Sequence, residues 1–127
     1  MTLKDYFEKT AGTGVLSTAD SKGNINTAVY SRPHFTEDDK LAFIMRDRLS
    51  HRNLGSNPHA AYLFMEEGPG YKGKRLYLRM VREEKNADQI EALQRRKYAK
   101  EVNEDRFLVF FELVKERPLV GDDNDGQ

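Results

Sequence analysis

Apolar and polar positions alternate along much of the chain, and this alternation predicts β-strands. It runs through residues 24–34 and 74–82 with a period of two, which places successive side chains on opposite faces of a strand. Shorter apolar runs at residues 14–19, 41–45 and 59–65 have the length of strands and are bounded by turn residues. Five strands are therefore predicted before the last third of the chain.

A sixth strand is predicted at residues 106–114, RFLVFFELV, which is apolar on both faces. A strand of this kind is either buried on both sides or supports a contact between subunits. Its aromatic side chains, Phe107, Phe110 and Phe111, are accordingly assigned to the core or to a dimer interface.

Three segments have the spacing or composition of helices. Residues 3–9 carry apolar side chains at helical spacing, which predicts a short amphipathic helix. Residues 46–55 fit a helix of two to three turns, with Asp47 or Ser50 as its cap. Residues 86–100 are rich in helix formers and have a narrow apolar stripe, so this helix is expected to lie on the surface.

The connections favour a barrel. The DSKG turn joins the first two strands into a hairpin, and short hairpins between alternating strands are typical of antiparallel barrels. Closure also removes the exposed edges of an open sheet. We expect one domain over residues 1–120 and a flexible acidic tail over residues 121–127. The predicted core comprises Val15, Leu16, Ile25, Val29, Phe43, Tyr62, Leu76 and Leu78.

Composition excludes several classes of site and partner. The 127 residues include no cysteine, so disulfides, thiolate nucleophiles and cysteine zinc sites are excluded. The formal net charge is zero, which argues against nucleic-acid binding. No apolar run reaches the roughly 18 residues of a membrane helix, and no signal peptide is recognisable, so a cytoplasmic protein without membrane partners is expected. The spacing of the three histidines matches no helical zinc pair, and no metal site is expected.

The segment at residues 46–53 has the chemistry of an anion site. Arginine forks bind phosphate oxygens in pairs, and a helix start adds free backbone N–H groups. A phosphate monoester is the natural occupant. The alternative is a solvated helix face whose arginines pair with nearby acids such as Asp47, Glu66 or Glu67. The side chains that supply charge or donors are Arg46, Arg48, Ser50, Arg52 and Asn53.

The order of these elements resembles a known family. A hairpin built on GVLSTADSKG is followed by a third strand, a basic helix ending in RNLGSNP, the strand HAAYLF, and later KRLYLRM with a helix after it. This order is similar to the pyridoxamine-phosphate-oxidase-like split barrels over residues 3–117. The resemblance implies a six-stranded antiparallel split β-barrel, Greek-key-like, with a short helix after strand 3 and a longer helix before the last strand.

The resemblance also implies a cofactor and a partner. In the family, flavin mononucleotide (FMN) lies at a homodimer interface and exchanges electrons with a small molecule or a donor such as NAD(P)H. The phosphate positions correspond to Arg46, Arg48, Ser50 and Arg52, with Asn53 beside them. The positions near the flavin ring correspond to Tyr30, Ser31 and Arg32. Glu66, Tyr71 and Lys74 are expected to close the site, partly from the partner subunit.

Two departures from the family pattern bear on the reaction. Oxidases of pyridoxamine phosphate carry an Arg-Lys pair where this chain has Leu49 and Ser50. They also carry a longer C-terminal extension with substrate-binding residues, whereas this sequence ends soon after Pro118. The expected function is therefore a flavin-dependent oxidoreductase acting on another small molecule.

Two alternatives remain open. One is a non-catalytic flavin or haem carrier of the same fold, with His51 as the candidate haem ligand. The other is a small-barrel nucleic-acid module that uses the basic, aromatic-containing strand at residues 74–82.

Overall fold

A computed structural model shows a mainly β chain built on one antiparallel sheet. It describes residues 2–85, 87–93 and 105–121. In these residues the sheet has seven strands in the order β2-β1-β5-β6-β7-β4-β3. The strands are β1 (Gly12–Ala19), β2 (Ile25–Tyr30), β3 (His34–Phe35), β4 (Leu41–Arg46), β5 (His59–Glu66), β6 (Gly73–Glu84) and β7 (Arg106–Pro118).

The sheet curls until its two ends face each other. β2 lies at one end and the β3–β4 pair at the other, yet the rings of Tyr30 on β2 and Phe43 on β4 meet edge to face with centroids 6.0 Å apart. The twist of strands makes such curling the natural outcome for a large antiparallel sheet. The result is a half-barrel with a gap between β2 and β4.

Six strands were predicted, and the described residues form seven. The predicted second strand was expected to reach residue 34, but β2 ends at Tyr30. Pro33 has no N–H to donate to a ladder, so pairing with β1 stops before it. His34 and Phe35 then pair with Ala42 and Leu41 of β4 and form the extra short strand.

The buried face of β2 is the opposite of the one predicted. Ile25 and Val29 are each 76% exposed, while Asn26, Ala28 and Tyr30 are partly buried. A period of two separates the faces of a strand without saying which one meets the core. Here the ring of Tyr30, the largest side chain of the strand, packs inward. Val15, also predicted as core, is half-buried on the outer face of β1.

The rest of the predicted core is confirmed. Leu16, Phe43, Tyr62, Leu76 and Leu78 are buried in one cluster inside the curled sheet. The last strand was expected to be the most buried strand or to support a contact between subunits. Four of the 13 residues of β7 are buried, compared with four of the six in β4, so β7 is not the most buried strand. The buried residues of β7 lie in one stretch, Leu108, Val109, Phe110 and Phe111.

β7 is apolar on both faces because each face has its own cluster. Val109 and Phe111 join the main core inside the sheet, whereas Leu108 and Phe110 pack with Ile90 of a helix on the outer side.

Helix α1 (Leu3–Lys9) was predicted correctly. It begins with a capping box, in which the Asp5 amide donates to the Thr2 hydroxyl at 3.1 Å and the Asp5 carboxylate accepts from the Thr2 amide at 3.4 Å. Its apolar stripe buries Phe7 against the rings of Tyr62 and Phe64, which closes one end of the core.

Helix α2 (Leu49–Ser56) lies where the basic helix was predicted, but its cap is Arg48, with no side-chain capping bond, and neither Asp47 nor Ser50. Helix α3 (Ala87–Leu93) covers part of the helix predicted before the last strand. Residue 86 and residues 94–100 of that prediction lie outside the described residues, as do residues 122–127 of the predicted tail. Among the helices described, none has the length and apolar character needed to cross a bilayer.

Candidate cofactor-binding cleft

A cleft of about 570 Å³ lies in the gap between the two ends of the sheet. Its position follows from strand pairing. β3 covers only Leu41 and Ala42 of β4, so the edge of β4 over residues 43–46 has no neighbouring strand among the described residues. The cleft is lined by Asn26, Ala28, Val29, Tyr30, Ser31, Arg32, His34, Phe43, Ile44, Arg46, Arg48, Leu49, Ser50 and Arg106.

One part of the cleft, here called the inner pocket, is formed by Asn26, Tyr30, Arg48 and Ser50. The Asn26 amide donates to the Ser50 hydroxyl at 3.1 Å, which joins β2 to the first turn of α2. Burial raises the pKa of the Tyr30 hydroxyl, while a hydrogen bond with Ser50 and the charge of Arg48 oppose the rise. The inner pocket therefore holds hydroxyl and amide groups beside one guanidinium at a helix start.

A second part, here called the outer rim, consists of His34, Arg46 and Arg106. Arg46 and Arg106 are direct partners in the β4–β7 register, so both side chains leave the same face of the sheet. His34 pairs with Ala42, which lies on that face as well. The outer rim thus carries two neighbouring guanidiniums and an imidazole.

The charged side chains in the described lining of the cleft are all basic. Four arginines line it, Arg32, Arg46, Arg48 and Arg106, and its described lining includes no aspartate or glutamate. A concave site lined by one sign of charge concentrates ligands of the opposite sign. The cleft is therefore suited to an anion.

The segment that follows β2 forms one wall of the cleft, and two buried or half-buried side chains hold it in place. The hydroxyl of the buried Tyr62 has one hydrogen, which it shares between the Ser31 carbonyl oxygen at 3.0 Å and the Tyr30 carbonyl oxygen at 3.2 Å. The Arg32 guanidinium donates to the carbonyl oxygens of Phe7 and Thr10, at 2.9 and 3.0 Å. These bonds attach the cleft wall to the core and to the end of α1.

The Tyr62 hydroxyl allows a direct test of this support. Tyr62→Phe removes the donor from two carbonyl oxygens while keeping the ring, so we expect the free energy of unfolding to fall by about 1–3 kcal/mol. Denaturant unfolding measures the change. Amide exchange at residues 30–32 is expected to speed up. Unchanged stability and exchange would show that this hydroxyl does not hold the wall.

Six of the predicted site residues are brought together in the cleft: Tyr30, Ser31, Arg32, Arg46, Arg48 and Ser50. Two others lie on α2 but face elsewhere. Arg52 is exposed and contacts Asp47, with its Nε 3.6 Å from the carboxylate. Asn53 is buried and its amide donates to the Thr18 hydroxyl at 3.1 Å, which attaches α2 to β1. Neither lines the cleft.

Tyr71, Lys74 and Glu66 lie at the turn between β5 and β6, away from the cleft lining. The Tyr6 hydroxyl donates to the Glu66 carboxylate at 2.6 Å, and Lys74 contacts Glu116 at 2.6 Å. Tyr71 is 76% exposed. These residues were expected to act partly from a partner subunit, and that role stays a prediction.

His51, the candidate haem ligand, is held by other groups. Its Nδ1 lies 3.2 Å from the Asp47 carboxylate and its Nε2 lies 2.7 Å from that of Glu83. Its ring also stacks on Phe107, with centroids 4.1 Å apart. Both ring nitrogens are thus engaged and the ring does not line the cleft, so the structure gives no support to haem ligation by His51.

This arrangement makes a prediction for Asp47. Its hydrogen bond with His51, followed by the charges of Arg52 and His51, holds the pKa of the Asp47 carboxyl below its usual value of 3.8. A carboxyl whose pKa is lower in the folded than in the unfolded state stabilises the fold at pH values above its unfolded-state pKa. This stabilisation is lost as the pH falls through its folded-state pKa. We expect His51→Ala to move the Asp47 pKa upward, measurable by NMR titration, whereas an unchanged pKa would contradict the contact.

Sequence reasoning missed several lining residues, notably Asn26, His34 and Arg106. Asn26 lies with Tyr30 on the inward face of β2. It was missed because this face was predicted to point outward. Arg106 is brought beside Arg46 only by the pairing of the last strand with β4, which no local signal reveals. In the described part of the chain, no cluster of three or more metal-binding side chains occurs.

Comparison with known proteins rests on structure. No family model and no curated protein matches the sequence. An FMN-binding protein from Syntrophomonas wolfei superposes with a TM-score of 0.74 and 20% identity, over 93% of this chain and 84% of that one. An F420 reductase gives a TM-score of 0.71 and 13% identity, over 91% and 97%. A protein assigned as pyridoxamine 5'-phosphate oxidase from Lactobacillus delbrueckii gives 0.66 and 13%, over 91% and 92%.

The chain has the pyridoxamine-phosphate-oxidase-like split-barrel fold. The predicted resemblance is thereby confirmed at the level of fold, and the similarity extends over most of each chain compared. In this split barrel, the split is the gap between β2 and β4, and the arginine-lined cleft occupies it.

Proposed function

We propose that this split barrel binds FMN in the cleft between β2 and β4. The observation that carries the proposal is the position of the cationic lining, which meets a helix start at one end and an uncovered strand edge along its side. FMN combines a phosphate with a flat ring that has a polar edge. Its site therefore needs a helix start for the phosphate and a strand edge for the ring. That a protein of similar fold is described as FMN-binding supports the choice.

The inner pocket would hold the phosphate. Arg48 supplies a fixed charge, while Ser50 and Asn26 supply neutral polar groups already joined to each other at 3.1 Å. α2 begins at Leu49, so its first backbone N–H groups lack partners within the helix, and they favour an anion. Ser50 is only 4% exposed, which limits competition from water.

The edge of β4 would hold the flavin ring. The backbone groups along residues 43–46 that face away from β7 can pair with the polar edge of the ring. Phe43, Ile44 and Tyr30 supply apolar surface on either side. Ligand pockets usually combine such apolar walls with a few well-placed polar groups, and their volumes of about 300–1,000 Å³ include this one.

We also propose that the protein is a homodimer. The outer face of β2, β1 and β5 carries an apolar row, because Val29, Val15 and Leu63 are direct neighbours in the strand register. Ile25 and Met65 add exposed apolar surface to the same face. A patch of this kind suits a second copy of the chain. Val29 also lines the cleft, so the partner subunit would lie beside the cofactor.

The bound flavin would supply the redox chemistry, accepting a hydride from a donor such as NAD(P)H and passing electrons to a small molecule. The chain's residues would bind and orient it. The Tyr30 hydroxyl is protonated at neutral pH, since burial raises its pKa further above the ordinary value of 10.0, and it can donate a hydrogen bond into the cleft. The described lining holds one histidine and no aspartate or glutamate, so it offers few side chains for proton transfer, and a flavin carrier without its own reaction is the second candidate.

Binding of FMN tests the proposal directly. The purified protein is expected to be yellow or to become so on adding FMN, and to release FMN on denaturation with one flavin per chain. Riboflavin, which lacks the phosphate, is the matched ligand control and is expected to bind more weakly. Failure to take up FMN at micromolar concentration would refute the proposal. Bound flavin that no nicotinamide nucleotide reduces would favour the carrier.

A further inference from the structure

Helix α2 is attached to the sheet on two sides, and one of the two depends on His51. Toward β1 and β2, the Asn53 amide donates to a hydroxyl of β1, and the Ser50 hydroxyl accepts from an amide of β2. Toward β6, the Nε2 atom of His51 lies 2.7 Å from the Glu83 carboxylate. Ser50 lines the cleft and directly precedes His51, so the attachment to β6 helps to set the direction in which Ser50 points.

The two contacts of the His51 ring require two ring hydrogens. Its Nδ1 lies 3.2 Å from the Asp47 carboxylate, and its Nε2 lies 2.7 Å from that of Glu83. An ionised carboxylate only accepts hydrogen bonds, whereas a neutral imidazole has one nitrogen that donates and one that accepts. The hydrogen bond with His51 also lowers the pKa of Asp47, which keeps that carboxylate ionised. Only the imidazolium can therefore donate to both carboxylates.

The ring is also confined to this place. The side chain of His51 is 14% exposed, and its ring stacks on that of Phe107 with centroids 4.1 Å apart. Phe107 itself packs against the main core. A ring that loses a proton therefore stays between the two carboxylates, and one nitrogen then presents a lone pair to an oxygen. Two acceptors at this distance repel, so one attachment of the ring is lost.

The other charged side chains around the ring have contacts of their own. Arg52 lies with its Nε 3.6 Å from the Asp47 carboxylate, and Lys85 pairs with Asp105 at 3.2 Å. Two arginines on the same elements line the cleft, Arg48 and Arg106. Asp47 and Glu83 are therefore the groups whose contacts change when the ring titrates.

We propose that His51 is a positioning residue for the cleft: as an imidazolium it holds α2 in place, and loss of its proton weakens FMN binding. This inference rests on the proposed FMN site and adds that pH regulates its affinity. The coupling runs through the first turn of α2, where Ser50 and the free backbone N–H groups would meet the phosphate. Because Asp47 and Glu83 are partly exposed, we expect the effect to be at the low end for coupled sites, about fivefold.

His51→Gln is the first test, because glutamine, like a neutral imidazole, offers both a donor and an acceptor. We expect its dissociation constant for FMN to be about fivefold above that of the wild type at pH 6 and nearly equal to it at pH 9. Quenching of flavin fluorescence measures both constants. The phosphate of FMN itself titrates at about pH 6, and comparing the two proteins at each pH removes that contribution.

Glu83→Gln separates positioning from charge. An amide at residue 83 can donate to Nε2 of a neutral ring while the Nδ1–H group donates to Asp47, so the attachment survives deprotonation. We expect this variant to bind FMN like the wild type at pH 6 and about fivefold more tightly than the wild type at pH 9. Glu84→Gln is the matched control, because Glu84 is the next residue of β6 and contacts Arg82 at 3.1 Å. It is expected to keep wild-type affinity at both pH values.

Two results would overturn the proposal. One is a ratio between the dissociation constants of His51→Gln and the wild type that is the same at pH 6 and pH 9. The other is a Glu83→Gln protein whose affinity matches that of the Glu84→Gln control at both pH values, or exceeds it equally at both. An equal gain would mean that the removed negative charge, and not the attachment of α2, changes the affinity.

A protein that takes up no FMN would refute the proposed function, and the attachment is then decided in the flavin-free protein. The amide of Arg52 reports on α2, because it donates to the Arg48 carbonyl oxygen at 3.0 Å. Its protection factor in hydrogen exchange is expected to fall from pH 6 to pH 9 in the wild type and to stay constant in Glu83→Gln. A protection factor that does not change with pH in the wild type would refute the attachment itself.

Discussion

Replacing Arg48 with glutamine is expected to weaken FMN binding by about ten- to a hundredfold, because a hydrogen bond to a charged group contributes about 1.5–3 kcal/mol. Arg48 lies at the cap of α2, beside Ser50 and within electrostatic reach of Tyr30. Quenching of flavin fluorescence during titration measures the dissociation constant. The effect should shrink for riboflavin, since the lost contact is with the phosphate.

Arg52→Gln supplies the matched control. Arg52 lies on the same helix and has the same charge, but its guanidinium contacts Asp47 rather than the cleft. Flavin affinity is expected to change by less than about twofold in this variant, as for a typical exposed ion pair. Equal losses in Arg48→Gln and Arg52→Gln would mean that general positive charge, not the inner pocket, attracts the ligand.

The second large effect is expected on stability. Gly14→Ala should lower the free energy of unfolding by about 3 kcal/mol, near the upper end for overpacking a core. A methyl group at Gly14 would overlap the hydroxyl and ring of Tyr62 and lie 2.7 Å from the Tyr30 carbonyl oxygen. The chain needs glycine there because the Tyr62 hydroxyl passes over β1 to reach the end of β2. Denaturant unfolding measures the loss.

Gly55→Ala is the control for the same substitution in open space. Gly55 lies within α2, and no atom outside the helix lies within 4 Å of an added methyl group. Alanine favours the helix over glycine by about 0.5–1 kcal/mol, so this variant should be more stable than the wild type. A Gly14→Ala protein as stable as the wild type would show that Tyr62 is not packed across β1.

The strands could be predicted wherever the local pattern of apolar and polar residues indicated them. Strict alternation in β6 and the double-sided apolar run of β7 each reflect a physical constraint on those residues alone. β3 was missed because two residues, His34 and Phe35, become a strand only through their pairing with β4. The buried face of β2 was reversed for a related reason. Ile25 and Val29 are apolar, yet they lie on the outer face, where we propose a partner subunit.

The site shows the same division. Arg46, Arg48 and Ser50 were predicted from their neighbourhood, because a strand running into a basic helix start is a contiguous signal. Asn53 was predicted as a site residue from the same segment, but its side chain donates to the Thr18 hydroxyl and attaches α2 to β1. His51 looked like a ligand and instead connects α2 to Glu83 on β6. Helical periodicity states which residues share a face, and only packing decides which face meets the cleft.

The sequence by itself determined the antiparallel class, six of the seven described strands and the basic segment near residues 46–53, since short-range patterns of polarity control each of these. Tertiary structure alone decided where the sheet opens, because the gap between β2 and β4 depends on which strands pair across the whole chain. The tertiary structure alone placed Arg106 directly opposite Arg46, which lies 60 residues earlier in the chain. Contacts between distant residues form only when the sheet curls, so the cleft is a property of the fold.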